Sequence, residues 1–219
     1  MQKFTEAYLK ESSIEKFNNK CSKIFLFLCV IFLFFSVVKN LAYSEAVVYG
    51  KSMQPTLNKN FSSSDSRTQD KVILNYIKSA HKGDIIVVHK IKDYGDDEVN
   101  VIKRLIAVGG DSIEVLPTGQ ILLNGELLEE DYVNETNRSS LYDNFYDTDG
   151  LINTQPELFE DKKLIVPKDH IFYLGDNRGE SADCSSYGPV HKKYLIAKVD
   201  FIIKSGDNKL KSIIKQLFK

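Results

Sequence analysis

The sequence is poor in cysteine and has no excess of charge of either sign. Its 219 residues include three cysteines, Cys21, Cys29 and Cys184. Cys29 lies inside a hydrophobic run and Cys184 lies far downstream, so a membrane at that run would separate them and a disulfide framework is not expected. The 29 basic residues against 30 acidic residues give a net charge of −1, which does not indicate nucleic-acid binding.

The sequence also lacks the motifs of several large enzyme classes. It has no Gly-x-Gly-x-x-Gly, no alternation of strands and helices and no internal repeat, which argues against a dinucleotide-binding fold. Its Cys, His and acidic residues do not have the clustered spacing of metal ligands, so neither a metal nor another cofactor is predicted. No histidine has a context that marks a Ser-His-Asp triad. The four histidines are His81, His89, His170 and His191.

One long hydrophobic run lies near the N-terminus. Ile24–Val38 has 15 uncharged residues, and an extension to residue 43 brings it to the ~17–25 residues that a spanning helix needs. We therefore predict a transmembrane anchor over residues 24–43. Residues 1–23 hold five lysines against three glutamates. The positive-inside rule then predicts that this N-terminal segment is cytoplasmic and that the residues after the anchor lie outside.

Two other interpretations of the hydrophobic run stay open. Ala42-Tyr43-Ser44 has the small-x-small pattern of a cleavage site, so the run also fits a cleavable signal peptide. A buried core helix is the third interpretation, but large apolar residues occur on every face of the run. The 23 residues that precede the run favour an uncleaved anchor.

Beyond residue 44 the pattern is that of short strands separated by turn residues. Pro117-Thr118-Gly119 joins two of these strands as a hairpin. We predict a mainly β fold in which antiparallel sheets form a β-rich domain over residues 44–204, after one N-terminal transmembrane helix. The predicted strands are residues 45–49, 71–76, 84–89, 99–108, 112–116, 120–123, 171–174 and 198–203.

The segment Glu126–Asp161 stands out by its charge. It holds eleven acidic residues and one basic residue, Arg138, and it interrupts the strand pattern. We predict an inserted cap segment over residues 126–165. A solvated surface excursion is the simplest interpretation of its charge.

The C-terminal residues 205–219 have the pattern of a basic amphipathic helix. Four lysines lie among or beside apolar residues that recur at the spacing of one helical face. Such a helix suits a membrane surface, and packing of its apolar face on the domain is an equal alternative. The apolar residues are Leu210, Ile213, Ile214, Leu217 and Phe218.

Ser52 and Lys103 are the residues best suited to catalysis. A serine hydroxyl becomes a good nucleophile once a base removes its proton, and lysine can be that base only as a neutral amine. In a strand over residues 99–108, Val101 and Leu105 share the face of Lys103. Such apolar surroundings disfavour the charged form of the amine.

The order of four sequence features carries a family resemblance. The hydrophobic run is followed by Ser52 in Tyr-Gly-Lys-Ser-Met-Gln-Pro-Thr, by Lys103 in Asn-Val-Ile-Lys-Arg, and by Gly-Asp-Asn-Arg at residues 175–178. This order resembles type I signal peptidase, the membrane-bound enzyme that removes signal peptides from exported proteins. The resemblance covers residues 50–57, 83–88, 100–111 and 173–189.

The resemblance implies roles for the residues around the two candidates. Ser52 would be the nucleophile, and Lys103 the general base and then the acid that protonates the leaving amine. The backbone N–H of Ser52 would contribute to the oxyanion hole, and Met53 would shape the floor of the site. Gly50 stands where many family members have a serine that adds a hydroxyl to this hole. Ser181 corresponds to the serine that positions the lysine amine.

Four further residues correspond to groups that brace the family's active site. They are Asp176, Asn177, Arg178 and Asp183. The family often continues with an arginine that pairs with the last aspartate, whereas residues 181–185 here read Ser-Ala-Asp-Cys-Ser. We therefore expect Asp183 to lack that partner, and we expect Cys184 to be a small buried residue without a catalytic role.

The resemblance implies an endopeptidase that cleaves preproteins after small residues at −1 and −3 of the signal peptide. The partners would be signal peptides, the lipid bilayer and the protein-export translocon. The protein would cross the bacterial plasma membrane once, with its catalytic domain on the outer side. Two alternatives stay open: a Ser/Lys peptidase dedicated to one secretion or conjugation substrate, and a non-catalytic, membrane-tethered β domain that binds peptides.

Overall fold

The computed structural model of the chain describes residues 2–90, 99–133 and 137–218. It divides into two compact units, Met1–Tyr43 and Ser44–Lys219. The first unit is one helix, α1, over Gln2–Ala42. Within the described residues, the second unit contains two β-sheets and four short α-helices.

Helix α1 contains a segment long and apolar enough to cross a membrane. This segment, Asn18–Ala42, has 25 residues, which corresponds to about 37 Å of helix against the ~30 Å of a bilayer's hydrocarbon core. Its large apolar side chains, such as Phe25 and Phe32, are exposed. The predicted anchor over residues 24–43 lies in this helix except for Tyr43, which begins the first strand.

The larger sheet of the second unit has seven strands in the order β1–β2–β12–β3–β4–β10–β11. The registers from β2 to β11 are antiparallel. Strand β4 is therefore an interior strand, with β3 on one side and β10 on the other. The strands are β1 Tyr43–Val47, β2 Lys71–Asn75, β3 Ile85–Lys90, β4 Val99–Val108, β10 His170–Leu174, β11 Val190–His191 and β12 Leu195–Ile203.

The smaller sheet has five antiparallel strands in the order β7–β6–β5–β9–β8. It contributes three fully buried side chains to the larger apolar core: Ile113, Ile121 and Leu164. The strands are β5 Ser112–Val115, β6 Ile121–Leu123, β7 Glu126–Leu127, β8 Phe159–Glu160 and β9 Lys163–Ile165.

The mainly β, antiparallel fold class predicted from the sequence is confirmed. Strand β4 has the predicted bounds, and the predicted hairpin joins β5 to β6. The strand predicted at residues 45–49 begins and ends two residues earlier. Strands β7, β8, β9 and β11 were not predicted, because two or three residues are too few to show a period of two.

The acidic segment is part of the folded core and not only a solvated excursion. It forms two helices, α2 over Ser140–Tyr146 and α3 over Leu151–Thr154. Leu141, Phe145 and Leu151 point inward and are at most 1% exposed. The high acidic content of the segment concealed the buried apolar residues that lie between its acidic residues.

The second unit ends in two short elements, α4 over Cys184–Tyr187 and α5 over Lys209–Leu217. Asn208 caps α5 by accepting hydrogen bonds from two backbone N–H groups of its first turn. Most of the apolar face that the sequence predicted is exposed, since Leu210 and Leu217 are 66% and 62% exposed, whereas Ile213 is half-buried. The side that faces the domain carries Ser212 and Gln216.

We expect Phe145→Ala to destabilise the second unit by about 3–5 kcal/mol, because it removes a buried ring and leaves a cavity. Phe145 is 0% exposed, and its ring packs on Phe159 and Phe172 with centroid distances of 6.2 and 5.8 Å. Urea unfolding of the full chain in detergent measures the change.

The matched control is Leu127→Ala, since Leu127 lies on β7 and is 53% exposed. Its free energy of unfolding should change by no more than about 0.5 kcal/mol. Equal destabilisation by both changes would show that the acidic segment does not contribute a distinct part of the core.

Candidate active site

Ser52 lies in a turn that leaves strand β1 and is fixed by a buried asparagine. Gly50 has φ of +90°, a backbone conformation that favours glycine. Asn58 donates hydrogen bonds from Nδ2 to the carbonyl oxygens of Val48 and Gly50, at 2.9 and 3.0 Å. Asp70 in turn accepts from the Asn58 backbone N–H at 2.8 Å. These bonds define the course of the chain just before Ser52.

Lys103 is buried in the middle of β4, as the strand pattern predicted. It is 4% exposed and lies opposite Ile86 of β3. Its Nζ lies 2.7 Å from Ser52 Oγ, within hydrogen-bonding distance. The structure thus brings together the two candidate catalytic residues, which are 51 positions apart in the sequence.

Ser52 and Lys103 both line a cleft of about 380 Å³. The lining is mostly apolar. It comes from β1 and the residues just after it, from β2 and β3, and from the first half of β4. The apolar lining residues include Val47, Val72, Leu74, Val87, Val99 and Ile102. A cleft of this composition suits an apolar segment of a ligand.

Gly175 lies between Ser52 and Ser181. A Cβ at position 175 would overlap both the Ser181 hydroxyl and the Ser52 carbonyl oxygen, so a larger residue would push the two serines apart. Within the described part of the chain, the buried Ser181 Oγ has no hydrogen-bond partner. An unpaired buried hydroxyl costs free energy and is therefore a candidate for a role in the site.

Asn177 holds the Ser52 turn from the other side. Its backbone N–H donates to the Ser52 carbonyl oxygen at 3.0 Å, and its Nδ2 donates to the Lys51 carbonyl oxygen at 3.3 Å. Asn137 fixes the orientation of this amide by donating to Asn177 Oδ1 at 3.0 Å. The Gly-Asp-Asn-Arg segment therefore contacts the main chain of the candidate nucleophile.

Asp176 forms a bidentate ion pair with Arg104. The Nε and Nη2 atoms of Arg104 lie 2.8 and 2.6 Å from the two carboxylate oxygens. Thr56 donates to the same carboxylate at 2.5 Å, and the Tyr132 ring lies 3.8 Å from the guanidinium carbon. Burial alone would lower the pKa of Arg104, but the hydrogen bonds and charge of Asp176 raise it. Arg104 therefore stays charged and is held away from Lys103 on the opposite face of β4.

Arg178 pairs with Glu130, a residue that sequence reasoning did not single out. Both residues are 4% exposed, and both Nη groups of Arg178 donate to the Glu130 carboxylate. Arg178 Nε also donates to the Gly175 carbonyl oxygen at 3.1 Å. Tyr132 donates to Glu130 at 3.1 Å, and burial, followed by the Glu130 charge, raises the pKa of this tyrosine. Glu130 of the acidic segment is thus the counter-ion of Arg178, the arginine of the Gly-Asp-Asn-Arg segment.

Asp183 has other hydrogen-bond partners in place of the arginine that family members often have. Its carboxylate accepts from the Gly175 N–H at 2.8 Å, and from the N–H and hydroxyl of Ser185 at 3.0 and 2.8 Å. Asn144 donates to Ser185 at 2.9 Å. Asp183 thus has local partners in place of an arginine, and its side chain caps helix α4 by accepting from the Ser185 N–H.

Met53 and Cys184 are buried beside the site. Met53 is 2% exposed and belongs to the apolar cluster that contains Leu57 and Val87. Cys184 is 0% exposed, and burial raises its pKa well above the usual range, so its thiol is a poor nucleophile. Among the described residues, no group of three or more His, Cys, Asp or Glu side chains has the geometry of a metal site.

Comparison with known proteins gives consistent matches. The family model described as signal peptidase, peptidase S26, matches residues 21–204. Signal peptidase I S of Bacillus subtilis (strain 168) is 30% identical over 168 residues, which cover 76% of this chain and 79% of that protein. Signal peptidase IB of Staphylococcus aureus (strain N315) is 28% identical over 181 residues, which cover 80% and 84%. The crystal structure of a signal peptidase I from Enterococcus faecalis V583 matches at 27% identity and a TM-score of 0.40, over 56% of this chain and 97% of that chain.

Glu130→Gln should destabilise the second unit by about 3–5 kcal/mol, because it leaves the charge of Arg178 buried without its counter-ion. The change keeps the size of the side chain, so it tests charge and not packing. Chemical unfolding of the full chain in detergent measures it.

The neighbouring exposed Glu129 provides the control, since Glu129→Gln should change the free energy of unfolding by less than about 0.5 kcal/mol. A cost for Glu130→Gln as small as that of Glu129→Gln would contradict the role of Glu130 as a required counter-ion.

Proposed function

Because this chain belongs to the signal peptidase family, peptidase S26, we propose that it is a membrane-anchored Ser/Lys endopeptidase that removes signal peptides from exported preproteins. The family makes it a peptidase whose substrates carry signal peptides. The observation that carries the finer proposal is the 2.7 Å distance between Ser52 Oγ and Nζ of the buried Lys103.

The proposed reaction begins with Ser52. Its Oγ attacks the scissile carbonyl carbon while its proton passes to the neutral amine of Lys103. Burial favours this neutral amine, because an ammonium loses its hydration there. The protonated Lys103 then gives the proton to the leaving amine, which departs as the new N-terminus of the mature protein. A water molecule, deprotonated by Lys103, hydrolyses the acyl-enzyme and frees Ser52.

Two neighbouring groups have supporting roles in the proposal. The backbone N–H of Ser52 stabilises the oxyanion, and with Gly50 in place of a serine no extra hydroxyl is supplied from that position. The buried hydroxyl of Ser181 directs the lone pair of the Lys103 amine toward Ser52. This role is supported by Gly175, whose missing side chain lets Ser181 approach the Ser52 turn.

The bracing residues hold the Ser52 turn at a fixed position relative to strand β4. Asp176 connects Arg104 of β4 to Thr56, four residues after Ser52. Asn177 binds the Ser52 carbonyl oxygen directly. We propose that these contacts preserve the attack geometry, since displacements of about 1 Å reduce rates by roughly 100-fold.

The proposed substrate is a signal peptide with small residues at −1 and −3. The cleft beside Ser52 is lined mostly by valine and other aliphatic side chains, among them Val72, Val87 and Ile102. Such a cleft accommodates an extended, apolar segment.

The proposed arrangement in the cell follows from helix α1. Residues 1–23 form the cytoplasmic segment, residues 24–43 the anchor, residues 44–204 the peptidase domain on the outer side of the bacterial plasma membrane, and residues 205–219 the basic tail. The excess of lysine before the anchor supports this orientation. The export translocon is the proposed source of the substrates.

Cleavage of a preprotein with alanine at −1 and −3 tests the mechanism. We expect wild-type protein in detergent to cut after the −1 alanine, as read by N-terminal sequencing of the product. Ser52→Ala and Lys103→Met should each lower kcat/KM by at least about 1,000-fold, because each removes a group that the chemistry requires. Ser181→Ala should lower kcat by roughly 100-fold and leave KM nearly unchanged.

Ser63→Ala and Lys59→Met are the controls, because both residues are exposed in the loop after the Ser52 turn. Both variants should keep wild-type activity. Equal activity of all variants would rule out the Ser/Lys mechanism. No cleavage even by wild-type protein would favour a peptidase dedicated to another substrate or a non-catalytic peptide-binding domain.

A further inference from the structure

Helix α5 attaches to the domain by its polar side and leaves its apolar side uncovered. Gln216 bonds both backbone groups of Ile202 in β12, accepting from its N–H at 2.9 Å and donating to its carbonyl oxygen at 2.6 Å. Ser212, one turn earlier on the same side, is 6% exposed. The uncovered side carries Leu210, Ile214, Leu217 and Phe218, which are 66%, 46%, 62% and 86% exposed.

This arrangement is the reverse of that expected for a terminal helix that stabilises a domain. An amphipathic helix of a globular protein normally turns its apolar stripe toward the core. Here two hydrogen bonds from Gln216 hold the helix in the opposite orientation. The orientation is therefore suited to a partner that is itself apolar.

The charge around the apolar side points to the chemistry of that partner. Residues 205–219 carry four lysines and one aspartate, Asp207, so their net charge is +4 − 1 = +3. Lys211 and Lys215 are exposed and, at a spacing of four residues, lie along one edge of the apolar side. Exposed apolar residues flanked by lysines are typical of helices that lie in the interface of an anionic bilayer.

The first residue of α5 is tied to the point where the chain leaves helix α1. Lys209 pairs with Glu45 of β1 at 2.5 Å, and Lys71 of β2 pairs with the same carboxylate at 3.0 Å. Glu45 follows Ala42, the last residue of the apolar helix, by only three positions. Three extended residues reach about 10 Å, so the start of α5 stays near the membrane face at which an anchor over α1 would end.

We propose that the apolar side of α5 inserts into the outer face of the membrane beside the anchor, with Lys211 and Lys215 contacting anionic lipid headgroups. This inference rests on the membrane anchoring in the proposed function and adds a second contact between the peptidase domain and the bilayer. The contact would limit rotation of the domain about the anchor and keep the Ser52 cleft at a constant height above the lipid.

A second copy of the chain is a less suitable occupant of this surface. Helix α5 has nine residues and is therefore about 13 Å long. One face of so short a helix is small compared with the roughly 800 Å² per partner of a stable protein interface. A lipid surface requires only the apolar side and the flanking cations.

Tryptophan fluorescence of the full chain in lipid nanodiscs tests the proposal. The sequence contains no tryptophan, so Phe218→Trp introduces a single reporter at the exposed end of α5. Discs holding one chain each are prepared with phosphatidylcholine alone or with added phosphatidylglycerol, with and without brominated acyl chains that quench tryptophan on contact. Leu127→Trp, on the exposed strand β7, is the matched control.

We expect brominated anionic discs to reduce the emission of Phe218→Trp by about twofold, since an interfacial helix inserts its apolar side about 5–10 Å into the bilayer. Leu127→Trp should not be quenched. Adding Lys211→Gln and Lys215→Gln to the Phe218→Trp variant should reduce the quenching, and so should high salt.

Several outcomes would overturn the proposal. Equal emission of Phe218→Trp in brominated and ordinary discs would exclude insertion. Equal quenching in neutral and anionic discs would exclude the role of anionic headgroups. A blue shift that requires two chains per disc and no brominated lipid would identify a second copy as the occupant. Because the signal does not depend on peptide cleavage, failure here is distinguishable from failure of the peptidase proposal.

Discussion

The short contact between the buried Lys103 amine and the Ser52 hydroxyl is the constraint on which the site depends. Lys103 comes from the interior of a sheet and is held by two neighbouring strands, whereas Ser52 comes from a turn with little regular structure of its own. A distance of 2.7 Å between such different elements persists only if the turn is fixed to the sheet. The surrounding polar residues are arranged so as to make that attachment.

Two buried ion pairs make most of the attachment. Arg104 with Asp176 joins β4 to the Gly-Asp-Asn-Arg segment, and Arg178 with Glu130 joins this segment to the acidic segment. Buried ion pairs contribute little net stability compared with apolar replacements. We infer that their value here is geometric, because both pairs fix the Gly-Asp-Asn-Arg segment, which contacts the main chain of Ser52. Loss of one partner leaves an uncompensated buried charge, so each pair is stable only when both residues are present.

Local sequence patterns were sufficient to predict part of this structure. The alternation of β4 predicted both its bounds and the burial of Lys103, and motif order identified Ser52; their catalytic roles stay predictions. Glu130 was not identified, because it is one of eleven acidic residues in its segment and only the tertiary fold distinguishes it. The local partners of Asp183 were not predicted, since the hydrogen bond from the Ser185 hydroxyl depends on the fold around helix α4. The orientation of α5, to which Gln216 and the Lys209–Glu45 pair contribute, has no signal in its apolar spacing.

The most direct test of the account is the reactivity of Ser52 toward a serine-reactive acylating probe, mapped by mass spectrometry of the full chain in detergent. The comparison is between wild-type protein and Lys103→Arg, which keeps a long nitrogen-bearing side chain but cannot act as a base, since arginine stays protonated. The account predicts acylation of Ser52 in the wild type and almost none in Lys103→Arg at any pH at which the protein is folded. Equal acylation of Ser52 in both proteins would contradict activation by the lysine amine.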